Sequence, residues 1–504
     1  MSTHHPLLIT SMITPSQLLD IQREIEDYSH EMGFDFFPVV YEMVDYHTMS
    51  EVAAYGGFPT RYPHWSFGME YDRLAKGYGY GLSKIYEMVV NTDPVYAYLL
   101  DVNQVIDQKM VIAHVCGHAH FFKHNYMFGP TNRKMMDEMA NHGNRIRRYM
   151  AKYGVETVEN FIDCCLTIED LIDMHAPFIK RAGTMNCATT EHDDEESEYS
   201  PEPYQLPASG YMRDYINPPS FIQEQRERIQ NEAMEQAKFP PEPQKDVLLF
   251  LLNYAPLQPW QSDVLSIIRE EAYYFAPQGQ TKIMNEGCAC WAHTRLMTQK
   301  VLRPEDVVDY AEHHSGTVAN HPGRINPYRL GLALLNDIER RWDKGQFGKE
   351  WEDCEDLRKK RSWNTGAMMG KEKVFEVWQH FNDVSFIDEF LTPDFIAEHM
   401  FFGYEWNDDI EAYTIATRDF KKIKEKLLFG LTNHGRPFIY VVDGNYENRG
   451  ELYLQHRHEG MDLKEDEARD TLRNIFQIWT RPVHLETMEG GETKVLSYNG
   501  KDDK

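Results

Sequence analysis

The sequence predicts a mainly α fold, α+β overall, in which a large helical domain is followed by a small C-terminal α+β domain. Three observations carry this. Helical periodicity recurs along the chain, from Leu18, Leu19 and Ile25 near its start to Phe375, Trp378 and Phe381 late in it. Two apolar stretches of helix length, residues 110–125 and 282–297, carry histidines and a glutamate where apolar residues would be ordinary. Beyond residue 431 the pattern changes to short β-branched and aromatic runs, read as a ββαββ module.

Taken in order, Thr14-Pro15-Ser16 opens a helix that ends near Gly33, with Thr14 as cap and Pro15 at the first helical position. Residues 36–44 are aromatic and β-branched enough for a strand, though the run is too short to exclude helix. RYPHWSFG at 61–68 reads as a turn around Pro63 that gathers Tyr62, His64, Trp65 and Phe67, either a packed corner or the rim of a pocket. Residues 70–100 read as helix and turn, with the glycines of KGYGYG at 76–81 forming a turn rather than a phosphate loop, since no Lys-Ser/Thr follows. After a break at Gly129-Pro130, residues 132–153 form an amphipathic helix with a structural His142. Seven acids and two prolines in residues 189–203 predict an exposed linker. Helices follow at 220–238 and through 245–275, then at 282–297, from 325 through 341, and over 372–428. Strands are expected at 438–442, 450–455, 483–487 and 493–498, around a helix at 464–479. The expected domains are thus 1–188, with the histidine motif, and 220–430, with the glutamate motif, packed as one body; a linker at 189–219; and a small domain at 431–504.

Composition narrows the function classes. Lys plus Arg number 52 against 80 Asp plus Glu, a net charge of -28, and the best basic cluster, Arg358 to Arg361, is short. Such a surface repels phosphate backbones and anionic membranes, so nucleic-acid binding is disfavoured. The longest aliphatic run, 247–252, is far below the roughly 20 residues of a membrane span. Seven cysteines, an odd number in a long chain, suit reduced thiols, and no export signal opens the sequence, so a cytoplasmic location is expected.

The chemistry concentrates in two places. His114, His118, His120 and His124 lie within residues 110–125. Residues four apart share a helix face, so His114 and His118 have the spacing of a metal-binding pair. His120 and His124 form a second pair pointing about 160–200° away, so one ion cannot use both. In the second place Glu286 stands in an apolar, aromatic segment with His293 seven residues on. A carboxylate there is costly unless paired or ligating, and salt bridges to Arg295 or Lys282 are the alternative to ligation.

YPHWSFG at 62–68, AHVCGHAHFFKHN at 113–125, KIMNEGCACWAH at 282–293 and INPYRLG at 325–331 together closely resemble the stage V sporulation protein R (SpoVR-like) family, over almost the whole chain. His114, His118, Glu286 and His293 fall on the positions of its motifs, which usually read HxxGHxxFFKNN and NEGWAxxWH. His124 replaces the usual Asn, and Cys288 the usual Trp. The resemblance implies a cytoplasmic protein connected with spore cortex assembly or with stress responses, encoded beside a serine kinase and its operon-associated protein. It implies no settled activity.

His114 and His118 with Glu286 look like the ligand set of thermolysin-like metallopeptidases, two histidines on one helix and a glutamate from a later one. Such a set holds a divalent metal, zinc by preference, and leaves a fourth position for water. The residue after the first histidine, the Glu general base in that superfamily, is Val115 here. His293, His120 or Glu312 is then left to move the proton, with His293 preferred over His120 on geometry. Two readings stay open, a metal-dependent hydrolase of unknown substrate with an unusual proton acceptor, and a helical interaction protein with a structural metal.

Overall fold

The computed structural model describes residues 13–80, 85–179, 206, 212–236, 239–320 and 322–501. The acidic stretch at 189–203, Cys187, Gly81 and His321 lie outside the described residues. The chain divides into two compact units, Met1–Glu159 with Tyr273–Arg436, and Asn160–Ala272 with Pro437–Lys504.

The first unit is mainly helical. Its opening helix, Pro15–Glu31, begins on a complete capping box between Thr14 and Gln17. The centre is the histidine helix, Val105–His124, packed against the glutamate helix, Lys282–Leu296, which in turn packs against Pro327–Asp343. Side chains around the histidine helix are buried from Met110 to Phe122, so it is enclosed rather than amphipathic. Small residues set these crossings. A Cβ on Gly117 would lie 2.7 Å from the Ala289 Cα, and one on Gly287 would lie 2.6 Å from the Gly331 Cα. The glutamate helix has no side-chain cap of its own at Thr281. Asp383 supplies it, one oxygen accepting from the Ile283 N–H at 2.8 Å and the other from the Met284 N–H at 2.9 Å.

Three strands flank the histidine helix in the order β1 (Val39–Val44), β3 (Val95–Leu100), β2 (Glu87–Val90). β1 runs parallel to β3 with Val39 opposite Val95, and β2 runs antiparallel to it with Glu87 opposite Leu99. The expectation of helix and turn over 70–100 is therefore corrected at 87–100. β3 is buried at five of its six positions, which erases the period-two alternation that marks a half-exposed strand. KGYGYG is corrected as well: Gly77 and Gly79 belong to the helix Trp65–Gly79. That helix also takes in Trp65 and Phe67, capped by His64, so only Arg61 to His64 form the corner. The Arg61 guanidinium lies over the Phe67 ring at 4.6 Å, and Tyr62 is fully buried. Within 372–428, expected to be helical throughout, helices Gly370–His380, Asp383–Phe390 and Pro393–His399 are followed by a hairpin of β4 (Gly403–Asn407) and β5 (Ala412–Thr417), then by the helix Phe420–Leu431.

The second unit contains a four-stranded sheet in the order β6 (Phe438–Tyr446), β7 (Glu451–Arg457), β8 (Val483–Glu489), β9 (Glu492–Tyr498). The helix Glu465–Trp479 connects the parallel pair β7 and β8, and both outer pairs are antiparallel. Its Trp479 packs at 5.7 Å from Phe250 of the helix Val247–Tyr254.

Candidate metal centre

The histidine and glutamate helices bring the sequence-predicted ligands together. His114 Nε2 and His118 Nε2 each lie 3.6 Å from the same Glu286 oxygen. Two ligands on one tetrahedral ion at bonds near 2 Å stand about 3.3 Å apart, close to this spacing. His114 Nε2 and Glu286 Oε2 are buried polar atoms without a hydrogen-bond partner, as a donor set for a cation would be. The residues present therefore fit a divalent ion.

The second nitrogens of the imidazoles are held from behind. His118 Nδ1 is 2.9 Å from Asn285 Oδ1, a bond that puts the proton on Nδ1 and turns Nε2 towards Glu286. His114 Nδ1 is 3.0 Å from His293 Nδ1, and His293 Nε2 is 3.0 Å from His314 Nδ1 on the helix Val307–Thr317. His293 thus meets the edge of His114 away from Glu286. Two turns along the helix from Glu286, it reaches the centre through His114.

A second donor set overlaps the first: His114, Cys290 and His293 also offer atoms within 4.8 Å of one another. All three are buried, whereas the Glu286 side chain keeps 17% of its surface exposed. The thiol at the centre is thus that of Cys290, while Cys288, the residue that departs from the family motif, is fully buried and belongs to neither donor set.

Electrostatics follow the geometry. Burial opposes charge on every member, but contact with Cys290 and Glu286 outweighs it at His114, whose pKa rises to about 10. His118, buried and facing that charge, falls to about 4. Burial raises the Glu286 pKa, and the two imidazoles more than reverse it. A metal requires both histidines neutral, so an ion bound here would take the place of the His114 proton.

Two neighbours were not legible as site residues. Glu87 on β2 brings Oε1 to 4.0 Å from His114 Nε2, with 20% of its side chain exposed and its pKa raised by burial. Tyr328, from INPYRLG, lies with its ring 6.2 Å from that of His114, and its phenol is held protonated by burial and by the charge of Glu286. The sequence signal for Tyr328 was its motif; Glu87 carried only an isolated acid at the head of a short apolar run.

His120 is not brought to this centre. Its ring packs edge-on to Phe34, Phe375 and Trp378, and its Nδ1 lies 2.9 Å from the Asp35 backbone N. His124 joins it there, with Nε2 at 2.9 Å from an Asp35 carboxylate oxygen, so the second histidine pair ties the helix to the loop before β1. Glu312 is exposed on the helix that carries His314.

A family model described as SpoVR like protein matches residues 13–436, and one described as SpoVR-like C-terminal domain matches 437–490. The chain belongs to the SpoVR family. The boundary between the two SpoVR models coincides with the last of the three points at which the chain passes from one compact unit to the other, Arg436 to Pro437, while the first model spans residues of both units. Among SpoVR-like relatives, the chain is similar to the uncharacterized protein YcgB of Escherichia coli (strain K12), 27% identical over 517 aligned positions, which cover 95% of this chain and 94% of YcgB. The name of the family links it to sporulation. No solved structure matches the chain. Among the described residues no helix is long and apolar enough to cross a membrane.

Proposed function

We propose that His114, His118 and Glu286 hold one divalent metal, zinc by the nature of the donors, in a metallopeptidase-like arrangement, and that the protein is a metal-dependent hydrolase in which Glu87 replaces the missing base at Val115. The observation that carries this is the convergence of two imidazole nitrogens on one carboxylate oxygen at 3.6 Å. A bound ion would supply Lewis acidity, activating water and polarising an acyl oxygen. Glu87, with a raised pKa and partial access to solvent, accepts the proton from water and returns it to the leaving group. Tyr328, protonated, donates to the oxygen on which charge develops. His293 orients His114 and does not touch substrate. Following the family resemblance, we assign this activity to the cytoplasm, in spore cortex formation or a stress response, in concert with a serine kinase.

The buried set His114, Cys290 and His293 favours a second reading, a structural metal in a non-catalytic interaction protein. Metal analysis of the purified full chain separates the two. The hydrolase reading expects stoichiometric zinc that is lost in Glu286→Gln and His118→Ala and kept in Cys290→Ser, with the fold standing in all three. Loss in Cys290→Ser with retention in Glu286→Gln overturns it in favour of the structural ion, and absence of stoichiometric metal from the wild type after zinc loading overturns both.

A further inference from the structure

A cavity lined by none of the metal-centre residues opens in the first unit between the hairpin β4–β5, the start of the helix Pro327–Asp343 and the helix Phe420–Leu431, with a volume of about 620 Å³. This falls in the roughly 300–1,000 Å³ range of small-molecule sites. Its floor is apolar: Ile283, Leu330, Leu391 and Ile396 are buried at the base, and Phe401 and Leu427 line it higher up. Its rim is basic. Lys282, Arg324, Lys422 and Lys426 all line it and are all exposed.

This rim runs against the rest of the molecule, which carries a net charge of -28. Other cations of this unit do have acidic partners, as Lys424 has Asp388 and Arg340 has Asp337. Among the described residues Arg324, Lys422 and Lys426 form no ion pair, and Lys282 acts only at a distance on Glu286. Two acids share the cavity. Glu405 is exposed, while Asp383 is spent on the backbone N–H groups of the glutamate helix. On the helix Phe420–Leu431 the pattern is built in: Lys422 and Lys426 stand one turn apart at the rim, with Ile423 and Leu427 one turn apart directly beside them in the wall.

We propose that this cavity binds a small amphipathic anion, an acyl chain seated on the apolar floor with a carboxylate or phosphate head group held by Lys282, Arg324, Lys422 and Lys426. An apolar cavity alone would accept neutral hydrocarbon; four cations with at most one opposing free acid select the charge of the head group. Burial of chain at about 0.8 kcal/mol per methylene makes affinity rise about fourfold with each added carbon until the cavity is filled.

The test is calorimetric titration of the full-length protein with laurate, dodecyl phosphate, dodecanol and inorganic phosphate, each below its aggregation concentration. Laurate or dodecyl phosphate is expected to bind at one site, the tighter of the two naming the head group. Dodecanol is expected to bind at least tenfold more weakly, decanoate about fifteenfold more weakly than laurate, and inorganic phosphate not to compete. The double variant Lys422→Gln/Lys426→Gln, made at two exposed positions, should weaken laurate at least tenfold while leaving zinc content unchanged. Equal binding of dodecanol and laurate, wild-type affinity in the double variant, or competition by inorganic phosphate alone would each overturn the proposal.

Discussion

Glu87 Oε1 stands 4.0 Å from the His114 nitrogen that faces Glu286, while the other nitrogen of the same ring meets His293 at 3.0 Å. The two residues therefore occupy opposite roles around one imidazole. Glu87 shares the face on which an ion and water would sit, and His293 lies behind the ligand.

The first prediction concerns Glu87. Glu87→Gln keeps the side-chain shape and removes the proton acceptor, so zinc content stays at the wild-type level and hydrolysis of any substrate that the wild type cleaves falls by about 10²–10⁴-fold. Parallel metal analysis and rate measurement check this; loss of zinc with the activity would make Glu87 a ligand instead.

His293 gives a different signature. As a group orienting His114, its replacement in His293→Ala should weaken zinc binding by about 10–100-fold without unfolding the protein, measured by competition with a chelator. Complete loss of zinc matched by complete loss in Cys290→Ser would shift the ion to the buried donor set.

Packing between the helices yields a stability prediction. In Gly287→Ala the new methyl meets the Gly331 Cα at 2.6 Å, backbone against backbone, which no side-chain rotation relieves. A cost of about 1–3 kcal/mol is expected, read as a lowered midpoint in thermal or denaturant unfolding, together with reduced zinc retention because Glu286 is the adjacent residue.

The second unit has its own acid-sensitive contact. Arg449, first, and His484 hold the Glu451 carboxyl down to about 2 from an ordinary 4.5. A depressed carboxyl stabilises the folded state above its ordinary pKa, and the stabilisation fades as pH falls from about 4.5 to about 2. Unfolding of this unit followed against pH should show that loss in the wild type, and Glu451→Gln should flatten the curve over the same window.

What the sequence could reveal depended on whether the signal was local. The pair His114 and His118 shows in a spacing of four on one helix, and Glu286 shows as an acid in apolar surroundings; both are one-segment patterns. Glu87 reaches the centre only because β2 pairs with β3 at Leu99, a tertiary fact with no trace in the run EMVV. The same reason hid the strands themselves. VYAYLL is buried too completely to alternate, and tertiary pairing, rather than propensity, decides its state. The hairpin β4–β5 did carry a signal, aromatic and β-branched runs flanking Asn407-Asp408-Asp409, but it was submerged in a stretch read by helical period. For His120 the periodicity was right and the inference incomplete: a second pair at the same spacing serves to anchor Asp35.

The glycines at the two crossings have a further meaning. With Gly117 against Ala289, the two helices carrying the donor atoms meet with nothing larger than a methyl between their backbones, and Gly287 against Gly331 seats the glutamate helix on Pro327–Asp343 main chain to main chain. Their separation is a rigid gauge, and the gap between His114, His118 and Glu286 inherits that rigidity. If the proposed site holds an ion, a larger cation such as calcium, which takes 6–8 oxygen ligands at 2.3–2.6 Å, would have to force the backbones apart, and discrimination by radius as well as by donor chemistry is expected.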